Sequence, residues 1–425
     1  MKGAGFHRAS PFLRMDSQLT MANDLALHDE QLRSRFRALD SFLFAWQPLW
    51  RPKPFTHTQL PWEQKYPELA SWLRQRSLSE AEAAHNHPEQ LAAPFPFPQL
   101  AAEAVELSHA PLLPSAGLTP VEPRMSVDVP GRKWQQIEAF ASRLTFERHP
   151  EHWLDWCSGK GHLGRRLVRP GQALTCLEYD TKLVQAGREL SARLKIDANH
   201  VHQDVMADDA WRRLQNHHTP VALHACGDLH VQLMRLASQV GCSQMAIAPC
   251  CYNRINTEHY QPLSGEGQAS ALKLSRDDLG LPLSETVTAG ARVRRQRDQS
   301  MAQRLAFDLL QRQVRGIDEY LPTPSLPSAW LDKPFAVYCR DLAALKGLPE
   351  VGEQNWSSLE AAGWERLAQV RNLELVRNLF RRPLELWLVL DRALYLQEQH
   401  YQVRVGTFCQ SHITPRNLLL IAQLR

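Results

Sequence analysis

The pattern of hydrophobic and polar positions divides the chain into three stretches. From about residue 23 to residue 107, apolar residues recur at helical spacing between proline-rich loops. From residue 125 to about residue 252, short apolar runs alternate with amphipathic segments, and from residue 270 to about residue 399 the helical spacing returns. The predicted strands are 153–157, 173–177, 200–205, 221–225, 244–248, 401–409 and 417–423.

The alternation of strands and helices predicts an α/β fold. Helices are predicted between the strands, at 164–168, 181–194, 209–216 and 229–239. This order is typical of a parallel, Rossmann-like sheet with right-handed crossovers and a ligand crevice at the carboxyl ends of its strands. The last two strands are expected to return to the sheet as an antiparallel pair, so the helical stretch before them is an insertion. The predicted parts are a helical, proline-interrupted N-terminal region (1–124), a Rossmann-like core (125–262), a helical insertion (263–400) and a closing strand pair (401–425).

Composition narrows the class of protein. A length of 425 residues predicts two or three structural units, and 44% hydrophobic with 22% charged residues is typical of a soluble globular protein. A net charge of +4 allows a nucleic-acid partner without requiring one. Eight cysteines without regular spacing favour a reducing cytoplasm over a disulfide framework.

No membrane segment is expected, because no run approaches the roughly 18 apolar residues that a spanning helix needs. The first fifteen residues carry Lys2, Arg8 and Arg14 and no acid, which faintly resembles a transit peptide. They lack an amphipathic period and a long apolar centre. A disordered leader, or a start codon assigned too early, is the preferred interpretation.

The first predicted strand of the core ends in a glycine-rich turn. The residues from Asp155 to Gly164 read D-W-C-S-G-K-G-H-L-G. Glycine has no Cβ, so Gly159 and Gly161 allow a tight turn and the close approach of a ligand to the main chain. The amide groups at the start of the following helix favour an anionic part of that ligand. The pattern is that of a nucleotide-binding strand, turn and helix.

The glycine spacing fits two cofactors. Gly159, Gly161 and Gly164 satisfy G-x-G-x-x-G, and Glu178 lies 19 residues beyond Gly159, where a dinucleotide site has its ribose-binding acid. Asp155, however, would repel a pyrophosphate, whereas the ammonium group of S-adenosylmethionine (SAM) attracts a carboxylate. The position of this acid therefore favours SAM.

Acids also follow the next two strands. Glu178 is expected to accept hydrogen bonds from both ribose hydroxyls, and Asp204 from the adenine amino group. Each acid alone fits a helix N-cap or a solvated turn, but acids at three successive strand ends favour ligand binding. The residues predicted to bind the cofactor are Asp155, Ser158, Gly159, Lys160, Gly161, Leu163, Glu178, Asp204 and Cys226.

The fourth and fifth strands of the core end in residues suited to catalysis and acceptor binding. Asp228 is expected to be the N-cap of the next helix in any case. The functional interpretation places His224, Cys226 and Asp228 beside the transferring methyl group, with His224 or Asp228 as the base. Tyr252 is predicted to stack on a flat acceptor or on the cofactor, and the adjacent Asn253 to bind the acceptor.

The cysteines at these strand ends have three interpretations. Cys250 and Cys251 pack as small hydrophobic residues in the first. In the second, one of them is a nucleophile that attacks an acceptor ring. In the third, Cys226, Cys250, Cys251 and His224 bind zinc. Adjacent cysteines rarely bind one ion and no C-x-x-C spacing is present, so the third ranks last and no metal is predicted.

Six motifs occur in the order that one protein family has. They are Asp155-x-x-Ser158-Gly159-Lys160-Gly161-His162-Leu163, His224-Ala225-Cys226-Gly227-Asp228-Leu229, Cys250-Cys251-Tyr252, Leu281-Pro282-Leu283-Ser284, Leu390-Asp391-Arg392-Ala393-Leu394-Tyr395-Leu396 and Ile413-Thr414-Pro415-Arg416-Asn417-Leu418. Over residues 125–425 the chain resembles SAM-dependent methyltransferase-like proteins related to methyltransferase-like protein 25. The resemblance implies a Rossmann-like methyltransferase fold, with SAM held by the turn after Asp155 and by Glu178. Cys157 stands where the family has its first glycine, which implies a looser turn or a displaced cofactor.

An RNA acceptor is implied by a second, weaker resemblance. The glycine turn and the cysteine pair are similar to those of tRNA 2′-O-methyltransferases that act on the acceptor stem. Arginines between Arg292 and Arg304 fit contacts to RNA phosphates, or a solvated helix face interrupted by Asp298. The sequence thus predicts a cytoplasmic methyltransferase that acts by direct SN2 transfer on rRNA or tRNA. A protein acceptor, a non-catalytic SAM-binding scaffold and an NAD-dependent oxidoreductase remain as alternatives.

Overall fold

A computed structural model describes residues 25–120, 122–284 and 291–425. The predicted leader lies outside these ranges. The chain divides into two compact units. Unit 1 comprises Met1–Ser41, Ser108–Gly280 and Glu385–Arg425, and unit 2 comprises Phe42–Leu107 and Leu281–Leu384.

Regular elements cover most of the described chain. The strands are β1 Leu27–His28, β2 His152–Trp156, β3 Ala173–Glu178, β4 Asn199–His202, β5 His218–Cys226, β6 Gln244–Cys250, β7 Tyr401–Thr407 and β8 Leu418–Leu424. The α-helices are α1 Asp29–Ala45, α2 Gln47–Trp50, α3 Pro67–Arg74, α4 Leu78–Ala84, α5 Phe97–Ser108, α6 Gly131–Ser142, α7 His162–Leu167, α8 Thr181–Arg193, α9 Asp228–Val240, α10 Gly265–Ala269, α11 Ala291–Arg315, α12 Phe335–Leu345, α13 Trp356–Asn378 and α14 Arg381–Glu398.

Unit 1 is built on one sheet with the strand order β1-β7-β8-β6-β5-β2-β3-β4. The five strands from β6 to β4 are parallel to one another, whereas β8 runs antiparallel to both β6 and β7. The predicted parallel core and antiparallel closing pair are therefore confirmed. The chain proceeds from β2 to one side of the sheet and returns to β5 on the other. This reversal opens a crevice at the carboxyl ends of β2 and β5, where such sheets bind their ligands.

The central strands are apolar because both faces of the sheet are covered. All seven residues of β6 are buried, as are the first five of β8. On one side, Ile137 and Phe140 of α6 join a core cluster with Trp153 of β2. Helix α8 begins at its N-cap Asp180, whose side chain accepts hydrogen bonds from the Lys182 and Leu183 amides.

Two predicted elements differ in the structure. Strand β4 ends at His202, because the Asp204 carboxylate accepts a hydrogen bond from the Met206 amide at 2.9 Å and turns the chain. The helix predicted at 209–216 is a single 3₁₀ turn, Ala210–Arg213. Both places lie at the edge of the sheet.

Unit 2 consists of helices drawn from two distant parts of the sequence. Helix α11 packs closely on α13 at Gly363, where a Cβ would lie 2.6 Å from the Ala302 carbonyl oxygen and from the Ala306 Cβ. The Asn372 side-chain amide of α13 donates to the Arg76 and Ser77 carbonyls at 3.0 and 3.1 Å. Segments predicted as two regions, the N-terminal one and the insertion, therefore meet in one unit.

Two expectations from the sequence concern disulfide bonds and membrane-spanning segments. All eight cysteines are free thiols. In the part of the chain that the structure describes, no helix has both the length and the apolar character required to cross a bilayer.

Candidate functional site

The turn after β2 is formed by residues with positive φ angles. Cys157, Gly159 and Gly161 have φ values of +56°, +57° and +74°. The Ser158 amide donates to the Leu177 carbonyl at 2.9 Å, and the Gly161 amide donates to the Ser158 carbonyl at 2.9 Å. The turn is thereby tied to the end of β3, and α7 starts directly after it.

Cys157 keeps the conformation that a glycine adopts easily. A left-handed backbone costs an L-residue roughly 1–2 kcal/mol. The two main-chain hydrogen bonds of Ser158 are nevertheless in place, so the turn is closed at this residue. The strain of the left-handed backbone lies in Cys157.

The later glycines of the motif are required by close packing. A Cβ on Gly161 would lie 2.6 Å from the His200 Cε1 atom and 3.0 Å from the Cys176 sulfur. A Cβ on Gly164 would lie 2.6 Å from a methyl carbon of Leu174. In contrast, a Cβ on Gly159 would meet nothing within 4 Å. The turn therefore packs tightly on β3 and β4 and leaves open space at Gly159.

Asp155 is buried beneath the turn. Only 2% of the residue is exposed, and its Oδ2 atom accepts a hydrogen bond from the Gly164 amide at 2.8 Å. Burial raises the pKa of this carboxyl to about 7 from 3.8, although the Gly164 amide and the charge of Arg165 oppose the rise. Asp155 thus fixes the start of α7 from below, and its contact with the ammonium group of a cofactor stays a prediction.

The raised pKa predicts a pH-dependent stability that Asp155→Asn removes. Between about pH 4 and pH 7 the folded state keeps a proton on Asp155 that the unfolded chain has released. The free energy of unfolding therefore falls as the pH rises through this window, by up to about 1.4 kcal/mol per pH unit. Asparagine retains an oxygen for the Gly164 amide but does not titrate.

Urea unfolding of both proteins at about pH 5 and about pH 7.5 measures this effect. Groups other than Asp155 titrate in both proteins and cancel in the comparison. The stability of Asp155→Asn relative to the wild type should rise from the lower to the higher pH. Parallel pH profiles would show that Asp155 does not titrate in this range.

The carboxylate of Glu178 binds the main chain of the turn and keeps acceptor sites for a ligand in the crevice. Its Oε2 atom accepts a hydrogen bond from the Gly159 amide at 2.8 Å, and its Oε1 atom accepts one from the Asp180 amide at 3.0 Å. An ionised carboxylate has about four acceptor sites. Two of them remain for ribose hydroxyls, and the residue is partly exposed. The geometry is compatible with the predicted role.

Two exposed side chains flank the predicted adenine position. Tyr179, which follows Glu178, is 68% exposed, and Met206, two residues beyond Asp204, is 38% exposed. One oxygen of Asp204 is occupied by the Met206 amide, which leaves the other for the predicted adenine contact. Sequence reasoning missed Tyr179. Its signal is an aromatic residue placed directly after an acid at a strand end.

Tyr179→Ala is expected to weaken SAM binding about tenfold, because stacking of an aromatic ring on a base contributes about 1–3 kcal/mol. Isothermal titration calorimetry with SAM measures the change. Trp211→Ala is the matched control, since Trp211 is 52% exposed but lies in the 3₁₀ turn beyond β4. Equal affinities of the two variants would remove Tyr179 from the site.

Two predicted ligand-binding residues are buried in the structure. Leu163 is 5% exposed and belongs to the core cluster beneath the sheet. Tyr252 is 0% exposed, and its hydroxyl donates to the Pro249 carbonyl at 3.2 Å. The predictions that Leu163 binds the cofactor and that Tyr252 stacks on an acceptor are therefore wrong. Of the other predicted site residues, Ser158, Lys160 and Asn253 are partly exposed.

Tyr252 instead belongs to a buried polar network from α14. The Arg392 guanidinium lies 5.3 Å from the centre of the Tyr252 ring, and its Nε atom donates to the His230 Nε2 atom at 2.7 Å. His230 Nδ1 in turn donates to the Ala225 carbonyl near the end of β5, at 2.9 Å. The adjacent Asp391 accepts the Tyr260 hydroxyl at 2.6 Å. Asp391 and Arg392 of the L-D-R motif therefore hold buried residues near the ends of β5 and β6 in place.

Strand β5 is distorted at its carboxyl end. Its register with β6 shifts between Leu223 and Cys226, and His224 has a φ of +72°. His224 keeps an exposed edge. Partial desolvation of the ring and, to a lesser extent, the positive charge of Lys133 both lower the pKa of His224. The imidazole is therefore neutral near pH 7 and able to accept a proton.

Asp228 links the end of β5 to the loop after β6 through hydrogen bonds. The N-cap of α9 is Gly227, so the predicted N-cap role of Asp228 is wrong. Asp228 is the first residue of the helix, and its Oδ2 atom accepts the Asn256 amide at 2.9 Å while its own amide donates to the Arg254 carbonyl at 3.0 Å. Asp228 thereby holds the loop after β6 against the start of α9.

Three cysteine sulfurs converge beside this loop. The Sγ atoms of Cys226, Cys250 and Cys251 all lie within 4.8 Å of one another, and the Cys226–Cys250 distance is 3.7 Å. Hydrogen bonds from Cys226 and Cys250 lower the pKa of Cys251. Cys251 is partly exposed, whereas Cys250 is 7% exposed. The cluster therefore contains one partly exposed sulfur, that of Cys251, and its pKa is lowered by its two neighbours.

Comparison with known proteins identifies the class of the core. Residues 132–258 match a protein family described as a methyltransferase domain. The matched range contains the glycine turn, Glu178, the end of β5 and the cysteine cluster. No curated protein sequence matches the chain.

Two solved structures with similarity to the chain are those of the plantazolicin methyltransferase BpumL. One contains a triazolic desmethylPZN analog and SAH, with 15% identity and a TM-score of 0.22. The other contains SAH, with 16% identity and a TM-score of 0.20. Each match covers 44% of this chain and 60% of the BpumL chain. This chain thus spans less than two thirds of the length of that protein.

The sheet order, the position of the crevice and the family match together define the core. Residues 132–258 are a SAM-dependent methyltransferase domain, with SAM as the cofactor. The residues around the crevice fit that cofactor. Gly159 leaves open space at the turn, Glu178 has acceptor sites for a ribose, and Tyr179 presents an exposed ring beside it.

Proposed function

We propose that this protein methylates RNA with SAM as the methyl donor. The observation that carries the proposal is the match of residues 132–258 to methyltransferase domains, with the matched strand ends forming one crevice. The six sequence motifs further favour a relationship to methyltransferase-like protein 25. A cytoplasmic location is part of the proposal.

The cofactor is held by residues of the first three strand ends. The turn at Ser158–Gly161 offers its main chain to the methionine part, Glu178 accepts the ribose hydroxyls, and Asp204 and Tyr179 contact the adenine. When bound, SAM supplies a sulfonium-activated methyl group for direct displacement by an oxygen or nitrogen nucleophile. The protein contributes mainly proximity and alignment.

Two residues are suited to remove a proton from the acceptor. Neutral His224 has a lone pair near pH 7 and an exposed edge. Asp228 lines a cavity of about 210 Å³ together with Met206, Gln232, Arg235 and Asn256. Because Asp228 also holds the Asn256 amide, its role as a base has to be separated from its role in the loop.

The polar lining of this cavity supports a nucleobase or ribose as the acceptor group. Gln232 and Asn256 offer both donors and acceptors, and Arg235 offers donors, which match the edges of bases. On α11 of unit 2, Arg292 and Arg295 are exposed, and their charge suits phosphates. Other arginines of that helix are engaged within unit 2, for example Arg294 with Glu82 at 3.1 Å.

Transfer of a radiolabelled methyl group tests the proposal. The full-length protein is incubated with labelled SAM and total cellular RNA, or with total cellular protein. Label that becomes sensitive to ribonuclease and resistant to protease is the expected result. Protease-sensitive label would favour a protein acceptor, and SAM binding without transfer to either pool would favour a scaffold.

Asp228→Asn and His224→Ala then identify the base. Asparagine keeps an oxygen for the Asn256 amide, so the loop stays in place while the basic carboxylate is lost. If Asp228 is the base, we expect Asp228→Asn to reduce the transfer rate about 100-fold or more with little change in SAM affinity. A full rate in Asp228→Asn together with a loss in His224→Ala would assign the role to His224.

A further inference from the structure

The cysteine cluster lies in a backbone arrangement that deviates from regular strands. Successive side chains of a strand point to opposite faces, so Cys250 and Cys251 would normally be separated. Cys251 has a φ of +47°, and this left-handed backbone brings its sulfur to within 4.8 Å of the other two. The register shift in β5 places Cys226 directly opposite Cys250. Two local distortions thus converge on the same three sulfurs.

The spacing of the sulfurs matches that of a thiolate metal site. Zn²⁺ binds cysteine sulfur at about 2.3 Å in a tetrahedron, which places the sulfurs about 3.8 Å apart. The Cys226 and Cys250 sulfurs are 3.7 Å apart, and Cys251 lies within 4.8 Å of both. Only a small movement of Cys251 is needed to complete three corners of the tetrahedron. Strained residues such as Cys251, with its positive φ, cluster at functional sites, which favours a ligand role of the three thiols over packing alone.

The charge around the cluster suits a thiolate site. Three thiolates and one divalent ion carry a net charge of −1, and the guanidinium groups of Arg254 and Arg416 act on Cys251 with the opposite sign. Each thiol releases its proton when the metal binds. Soft thiolate ligands select zinc over magnesium, calcium or manganese.

We propose that Cys226, Cys250 and Cys251 bind one zinc ion through three thiolates. The partly exposed side of Cys251 leaves the fourth position open to water or to a donor atom of a substrate, as in catalytic zinc sites. Adjacent cysteines point to opposite faces of a regular strand, but the left-handed backbone of Cys251 allows both sulfurs to face one ion. The zinc site goes beyond the proposed methyl transfer and does not depend on the identity of the acceptor.

A second group of possible ligands must be separated from this one. His152, His217 and His218 also offer nitrogen atoms within 4.8 Å of one another. They lie at the amino-terminal ends of β2 and β5, at the edge of the sheet opposite to the cysteines. A metal bound there has no thiolate ligand, so a spectroscopic signal from sulfur distinguishes the two sites.

Cobalt substitution tests the proposal on the full-length protein. The reduced, metal-free protein is titrated with Co²⁺, and the near-ultraviolet thiolate-to-cobalt charge-transfer band is recorded before and after addition of Zn²⁺. We expect the band to saturate at one ion per chain and to disappear on zinc addition. Cys250→Ser and Cys251→Ser should each weaken Co²⁺ binding at least tenfold and reduce the band, whereas Cys339→Ser in unit 2 and His217→Ala should leave it unchanged.

Absence of the band in the reduced wild type, or its persistence in both cluster variants, would overturn the zinc site. Circular dichroism of each variant shows whether a loss reflects unfolding. If both cluster variants unfold, Cys226→Ser and modification of the wild-type thiols with and without zinc decide the matter, since zinc should protect Cys251 from alkylation. SAM affinity is measured on the same samples, so a failure of metal binding is distinguishable from a failure of the proposed methyl transfer.

Discussion

Replacement of Glu178 by alanine is expected to weaken SAM binding at least about 100-fold. Two hydrogen bonds from ribose hydroxyls to a carboxylate contribute together at least about 3 kcal/mol, which corresponds to that factor. The same carboxylate accepts the Gly159 amide at 2.8 Å and the Asp180 amide at 3.0 Å. Its removal therefore also loosens the turn that faces the cofactor.

Calorimetric titration with SAM measures the effect of Glu178→Ala. Glu189→Ala is the control, because Glu189 lies exposed on α8 and contacts Gln185 of the same helix at 2.8 Å. Glu178→Gln, which retains a neutral acceptor, should fall between the wild type and Glu178→Ala. Unchanged affinity in a folded Glu178→Ala protein would mean that SAM does not bind at the end of β3.

Gly227→Ala is expected to destabilise the protein by about 3–5 kcal/mol. A Cβ at this position would lie 1.9 Å from the Arg254 carbonyl oxygen, and the φ of +55° with a ψ of −123° is accessible almost only to glycine. Overpacking and backbone strain each cost about 1–3 kcal/mol. The loop after β6 would have to leave the start of α9, and the hydrogen bond between Asp228 and Asn256 would be lost with it.

Urea denaturation of Gly227→Ala and of a matched glycine variant tests this prediction. Gly241 ends the same helix with a φ of +75°, and a Cβ there would meet nothing within 4 Å. Gly241→Ala should therefore cost only about 1–2 kcal/mol for the left-handed backbone. Equal destabilisation by the two substitutions would contradict the close contact between Gly227 and Arg254.

The features that depend on local pattern were predictable from the sequence. The alternation of apolar runs and amphipathic segments predicted the parallel strands with their crossover helices, and the sheet has this arrangement. The glycine turn was predictable because Gly159 and Gly161 both adopt positive φ angles, and Gly161 is also required by close packing. Glu178 was predictable as a residue of the crevice, because the carboxyl ends of parallel strands lie at the same edge of the sheet.

The features that depend on distant segments or on backbone distortion were not predictable. Tyr252 looked available at a strand end, but Arg392, which lies far along the chain, helps bury it. The convergence of the cysteines depends on the positive φ of Cys251, a conformation that propensity assigns to glycine. The burial of Asp155 beneath the turn, where its Oδ2 atom accepts the Gly164 amide, was likewise absent from the pattern, and its contact with a cofactor stays a prediction.

The pairing of the helices in unit 2 was not predictable either. Its helices come from two distant parts of the sequence, and their amphipathic patterns do not specify which partner each one meets. The contact of Asn372 with Arg76 and Ser77 depends on hydrogen bonds between residues almost three hundred positions apart. Hydrophobic periodicity predicts that such helices exist but carries no information on their pairing.

Calorimetric titration of the purified wild-type protein with SAM, and separately with NADH, decides between the two cofactors that the glycine spacing fits. The crevice at β2 and β5, with its turn and its ribose-binding acid, predicts saturable binding of SAM at one molecule per chain, competition by SAH and no binding of NADH. Binding of NADH without binding of SAM would rule out SAM as the cofactor and assign the glycine turn to a dinucleotide.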